Sequence, residues 1–177
     1  MLGGATVCNL LQILKCFLSG TKDSVCVQYL QQVVEVVTDS YVIDFDSVTL
    51  QTGACDVLLE LLQKCENKFG TAVEAHYQST GRLTTLRAMI QTIFGFLLKV
   101  LHVSSLNTTA LQCVTLLSKL SMNTHTVYTL YETHTPELLR AVIPQDESRI
   151  LYPASEEFAI LQSLVQCPYC EVQSRTE

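Results

Sequence analysis

The sequence predicts an all-α fold, and three observations carry that prediction. Apolar residues recur at three- and four-residue steps over most of the chain, which is the pattern of one helix face. Residues typical of helix starts precede these segments, as Thr135 and Pro136 do before the Leu138-Leu139 pair. Similar Leu-rich segments also return along the chain at intervals of about 40 to 48 residues.

The composition favours a well-packed globular chain. Of its 177 residues, 48% are apolar and 16% are charged, against roughly 25% charged in ordinary domains. So few charges indicate extensive burial. The net charge is −6, and the 11 Lys and Arg residues are scattered, so we expect no direct binding of nucleic acid.

The apolar pattern predicts helices over residues 6–20, 23–37, 55–68, 71–77, 83–103, 108–123, 136–143 and 155–165. The valines between residues 25 and 37 leave a strand as the alternative for that segment. The glutamines there do not alternate with period two, which favours the helix. Residues 38–49 are polar and acidic and are interpreted as a connector.

Two glycines receive structural interpretations. Gly53 precedes the predicted helix at 55–68 and is interpreted as part of the lead into it. Gly95 lies inside the predicted helix 83–103, where glycine costs about 1 kcal/mol relative to alanine. We therefore interpret Gly95 as the mark of a close helix crossing.

Internal repetition gives the chain its resemblance to a family. Leu-rich segments match at offsets of 48 and 80: Leu10, Leu11, Ile13 and Leu14 with Leu58, Leu59, Leu61 and Leu62, and Leu50, Leu58 and Leu59 with Leu130, Leu138 and Leu139. A buried helix, a connector and a Leu-Leu helix in this order resemble armadillo and HEAT repeats, which are about 40–47 residues long. The resemblance implies a short α-solenoid of three to four repeats over residues 1–166. A plain helical bundle is the alternative fold. Residues 167–177 are interpreted as a flexible tail.

The resemblance also implies a function. Armadillo and HEAT proteins are typically scaffolds or adaptors that bind other proteins along stacked helices. The chain is further similar, without a specific motif, to the armadillo-like meiosis inhibitor family, which would imply a role at meiotic chromosomes. No Gly-x-Ser-x-Gly, phosphate-binding glycine loop or His-Glu-x-x-His is present. We expect no catalytic residues, cofactor or metal.

The eight cysteines indicate a compartment. Six of them lie in or beside apolar helical patterns, where a reduced thiol behaves as a small apolar side chain. Reduced thiols indicate an intracellular protein of the cytoplasm or nucleus. Cys167-Pro168-Tyr169-Cys170 is similar to the glutaredoxin motif, so a thiol redox or zinc-binding function of Cys167 and Cys170 is the alternative. The motif lacks the preceding strand that redox catalysis needs.

The candidate partner-binding residues lie on the first helix and in the connector at residues 124–134. The first predicted helix contains Leu10, Leu14 and Phe17 and only one charged residue. Such a helix is typical of the interior of a helical array, here with the preceding helix missing. We expect an exposed apolar patch there, in a fragment or short form of a larger protein, that binds a helical protein or a second copy. Tyr128 and Tyr131 are surface anchors for a partner or pack beneath the following helix.

No membrane partner is expected. The longest apolar segment, residues 89–103, is about fifteen residues long, short of the roughly twenty that a spanning helix needs. Lys99 and His102 fall within it. A buried core helix is therefore the predicted state of this segment.

Overall fold

A computed structural model describes residues 3–39, 43, 46–68, 74–103, 107–121, 136–143 and 155–165. Every regular element in these ranges is a helix, which confirms the all-α prediction for this part of the chain. The helices are α1 (Gly4–Gly20), α2 (Asp23–Gln28), α3 (Leu30–Val37), α4 (Val48–Lys68), α5 (Glu74–Ser79), α6 (Leu83–Val103), α7 (Thr108–Ser121), α8 (136–142) and α9 (Glu156–Val165). The predicted tail at 167–177 lies outside the described residues.

Four helices pack one after another. Helix α1 contacts α4, α4 contacts α7, and α7 contacts α9. Helices α3 and α6 contact each other and cover α4 and α7 respectively, while α2 lies on α4 and α5 on α6. The apolar core runs between the four-helix row and its covering helices.

Helices α4, α6 and α7 supply most of this core. Their fully or almost fully buried side chains include Leu58, Leu61, Leu62, Ile90, Ile93, Phe94, Leu97, Cys113, Val114 and Leu117. Each follows the three- and four-residue spacing of its helix, as predicted. Burying one such large side chain contributes roughly 1.5–3 kcal/mol, so these three helices dominate the stability of the fold.

The segment at residues 23–37 is helical but interrupted. Helix α2 ends at Gln28 and α3 begins at Leu30, with Tyr29 between them at φ −100° and ψ 8°. Leu30, Val33, Val34 and Val37 are buried at helical spacing. A strand would place alternate residues on one face, so the strand alternative for this segment is wrong.

Gly53 does not precede a helix, because α4 begins at Val48 and runs through it. A Cβ added at Gly53 would lie 3.2 Å from Leu11 Cδ1 on α1. The glycine therefore lets α1 and α4 approach closely inside a continuous helix. Burial of Leu50 explains why the helix extends upstream of the predicted start.

Gly95 does not mark a close crossing. A Cβ added there would meet no atom within 4 Å apart from its immediate helix surroundings. The close approach predicted for Gly95 is instead found at Gly53. A glycine in a helical pattern shows that a side chain is missing, but not whether a neighbour occupies that space.

The apolar stretch of α6 is longer than the segment at residues 89–103 that was tested for membrane spanning from the sequence. In the described part of the chain, it is the one helix long and apolar enough to cross a membrane, over Thr84–Val103 with a mean hydropathy of 1.4. Half of that stretch is buried inside the protein, and core helices pass the same test. The contacts of α6 with α3, α5 and α7 are those of a core helix.

Candidate interaction surface on the first helix

The inner face of α1 fixes the helix on α4. Val7, Leu11 and Leu18 are buried, and Leu14 is half-buried against the same core. These positions are spaced by four, three and four residues, so they form one stripe along the helix. The stripe occupies the side of α1 that faces α4, which leaves the opposite side to solvent.

The exposed surface of α1, called here its outer face, carries a second apolar stripe to one side of the inner stripe. Leu10, Ile13 and Phe17 are 49%, 65% and 61% exposed, and their spacing of three and four residues aligns them along the helix. We call these three residues the outer stripe. A large exposed apolar patch is typical of an interaction site.

The outer face of α1 is also uncharged. Lys15 is the one charged residue of the helix, and its Nζ lies 3.4 Å from Asp56 Oδ2 on α4, away from the outer stripe. Every exposed residue of α1 is neutral: Gly4, Ala5, Thr6, Asn9, Leu10, Gln12, Ile13, Cys16, Phe17, Ser19 and Gly20. A helix whose outer face only met water would ordinarily carry charges there.

Contacts at the C-terminal end of α1 hold this face in place. Lys64 Nζ on α4 donates hydrogen bonds to Ser19 O at 2.9 Å and Thr21 O at 3.3 Å. The ammonium group thus lies at the end of α1 where the helix dipole is negative. Thr21 Oγ1 also donates to Phe17 O at 2.6 Å. The outer stripe is therefore presented on a helix anchored along its inner face and at one end.

The predicted partner-binding residues of α1 differ from one another in their exposure to solvent. Leu10 and Phe17 are exposed on the outer stripe, whereas Leu14 is half-buried towards the core. Ile13 was not among the candidates, although its spacing from Leu10 and Phe17 was a signal for the same face. Tyr128 and Tyr131 lie outside the described residues.

The buried thiols are chemically inert in the folded protein. Burial, together with the nearby negative charge of Asp56, raises the pKa of Cys55 to about 12. Burial likewise raises the pKa of Cys113 well above its ordinary value, and its Sγ contacts Cys55 O at 3.5 Å. Because the thiolate is the reactive form, neither residue is a nucleophile at neutral pH.

No metal site is visible in the ranges that the structure covers. Among those residues, no three His, Cys, Asp or Glu side chains come together as metal ligands would. Cys167 and Cys170, the alternative redox or zinc residues, lie outside these ranges. Comparisons of the chain with protein families, with curated proteins and with solved structures found no match.

Proposed function

We propose that the chain is a non-enzymatic protein-interaction scaffold built as a short α-solenoid, and that the outer face of α1 is a contact surface. The observation that carries this proposal is the uncharged outer stripe of Leu10, Ile13 and Phe17. The successive packing of α1, α4, α7 and α9 supports the solenoid. A role at meiotic chromosomes stays a prediction.

The spacing of the four-helix row is consistent with helical repeats. The members begin at Gly4, Val48, Thr108 and Glu156. The first and last intervals are close to the repeat length of armadillo and HEAT proteins, about 40–47 residues. The middle interval is longer, because the 21-residue helix α6 and the short α5 fall within it.

Stacking explains why α1 has an apolar outer face. A helix inside a solenoid buries apolar residues against a neighbour on each side. Helices α4 and α7 each have extensive contacts with two other row helices, whereas the extensive contact of α1 within the described part of the row is with α4. The outer stripe is therefore the surface on which one further helix would stack.

The occupant that this surface fits best is α1 of a second copy. Leu10 and Phe17 lie about one turn to either side of Ile13, so two antiparallel stripes would match around a two-fold axis near Ile13. The absence of charge on the outer face lets two chains of net charge −6 meet there without opposing like charges. The contact is thus self-complementary.

The expected association is weak. Three side chains from each copy make a contact smaller than a standard protein–protein interface. Self-association should therefore be weak and visible only in concentrated samples.

Light scattering over a range of protein concentrations tests the proposal. The natural chain should show a mass that rises with concentration, and Ile13→Glu or Phe17→Glu should remain monomeric, because either change places a charge in the contact. Val36→Glu on α3 is the matched control, since Val36 is also an exposed apolar residue, at 51%. It should behave as the natural chain does.

Two results would contradict the proposal. One is a natural chain that stays monomeric at every concentration and whose outer-stripe variants unfold, which would show that the stripe belongs to the core. The other is self-association that persists unchanged in Ile13→Glu and Phe17→Glu. Association only with a different helical protein would keep the surface and change its occupant.

A further inference from the structure

A second surface lies on another part of the molecule, between α6 and α8. A cleft of about 670 Å³ opens where the C-terminal part of α6 meets α8. Its described lining residues are Leu98, Lys99, Leu101, His102, Val103, Glu137, Arg140 and Ala141. This volume falls within the range of about 300–1,000 Å³ that is common for ligand sites.

The floor of the cleft is apolar. Leu101 is buried, Leu98 and Ala141 are half-buried, and Val103 is 55% exposed at the edge. An apolar side chain of a ligand would be favoured on this floor, because its binding would remove apolar surface from water. The volume accommodates one or two large side chains.

The rim of the cleft is basic, in contrast to the rest of the chain. Among the described lining residues, Lys99, His102 and Arg140 are basic and Glu137 is acidic. The whole chain has 17 acidic residues against 11 Lys and Arg. The cleft therefore combines an apolar floor with a rim that favours anionic ligands.

We propose that this cleft binds a short acidic segment of a partner protein. One or two Leu or Phe side chains of the segment would fill the apolar floor, and its Asp or Glu residues would face Arg140. Arginine suits this role because its guanidinium can donate two parallel hydrogen bonds to one carboxylate. A nucleic acid is a poorer fit, since it offers phosphates but no apolar side chains for the floor.

The site is separate from the outer stripe in sequence and in the helices that form it. It involves α6 and α8, whereas the stripe lies on α1. A failure of self-association through α1 would therefore leave this proposal standing, and the reverse also holds.

Fluorescence anisotropy with a designed peptide pair tests the proposal. The probe is a fluorescein-labelled peptide built from Glu, Leu and Phe, and its partner carries Lys in place of every Glu. The acidic peptide should bind the natural chain, and the basic peptide should bind at least tenfold more weakly. Added salt should weaken the acidic complex, because its rim charges are exposed.

Matched variants locate the binding. Arg140→Glu should weaken binding of the acidic peptide by roughly tenfold, since the change turns an attraction into a repulsion. Arg87→Glu changes the net charge equally at an exposed position of α6 outside the cleft lining, and should leave the affinity unchanged. Ala141→Trp, which fills the floor, should also weaken binding. Circular dichroism would check that each variant remains folded.

Several results would overturn the proposal. They are failure of the acidic peptide to bind, equal binding of the acidic and basic peptides, and equal effects of Arg140→Glu and Arg87→Glu. Binding of a fatty carboxylate but not of the peptide would assign the cleft to a small ligand instead. Concentration-dependent association that Arg140→Glu abolishes, without peptide binding, would assign it to a second copy.

Discussion

At the scale of single residues, Lys64 connects the end of α1 to the rest of the fold. Its ammonium group donates to two carbonyl oxygens just at and beyond the end of α1, those of Ser19 and Thr21. It also lies 4.0 Å from Asp23 Oδ1. In the sequence, nothing distinguishes Lys64 from the other polar residues of its helix. Its role depends on how α4 lies against α1, which no local pattern specifies.

Replacement of Lys64 by methionine tests this connection. We expect Lys64→Met to lower the free energy of unfolding by about 1 kcal/mol, because partly exposed hydrogen bonds to the helix end are lost. Amide hydrogen exchange should increase most in the last turn of α1. Lys22→Met, at an exposed lysine nearby, is the control and should change neither quantity. Unaltered exchange in Lys64→Met would show that the inner face alone holds α1.

The buried thiols make stability depend on pH. A group whose pKa is raised by folding stabilises the protein below its unfolded pKa, about 8.5 for cysteine, and this stability is lost as the pH rises towards the folded pKa. For Cys55 the folded pKa is about 12. Unfolding free energy should therefore fall between about pH 8.5 and 12, by up to about 1.4 kcal/mol per pH unit for each such thiol.

Urea unfolding at about pH 8 and pH 10 measures this effect. The loss of stability between the two values should be smaller in Cys55→Ala, whose side chain cannot ionise. Cys16→Ala is the control, because Cys16 is exposed and should leave the pH dependence as it is in the natural chain. Identical pH dependence in all three proteins would contradict the burial of an ionisable thiol at Cys55.

At the scale of helices, the sequence predicted elements well where one pattern dominates. The predicted bounds of α6 match the structure, because its apolar residues keep helical spacing from end to end. Prediction failed at the start of α4 and at the break between α2 and α3. In the sequence, Gly53 resembles a residue that interrupts a helix. In the structure it lies inside α4, where Leu11 of α1 approaches closely. Tertiary contacts of this kind are not encoded in local spacing.

Two glycine substitutions separate these effects. Gly95→Ala should stabilise the protein by about 1 kcal/mol, because helix propensity improves and the new methyl group meets open space. Gly53→Ala gains the same propensity, but its methyl group would lie 3.2 Å from Leu11 Cδ1, so the net gain should be smaller or negative. Chemical unfolding of both variants gives the comparison. Equal stabilisation would mean that α1 and α4 are not close at Gly53.

At the scale of the whole molecule, repetition in the sequence indicated several similar helices but not their arrangement. The row of α1, α4, α7 and α9 emerges from contacts between distant segments. The candidate surface was partly predictable, because α1 has too many apolar residues and too few charges for a helix facing water. Spacing alone groups Ile13 with Leu10 and Phe17. Whether that stripe or the one containing Leu14 faces outwards was not predictable, because it depends on the side from which α4 approaches.

The most direct test of the central claim is chemical labelling of Cys16, an exposed thiol of α1 that lies next to Ile13 on the helix surface, at the edge of the outer stripe. Maleimide labelling, located by mass spectrometry, should slow severalfold as the natural chain is concentrated, because α1 of a second copy covers the thiol. In Ile13→Glu the labelling rate should stay constant over the same concentrations. A natural chain that is labelled at Cys16 equally fast at every concentration, while light scattering shows it to associate, would place the contact elsewhere and contradict the account.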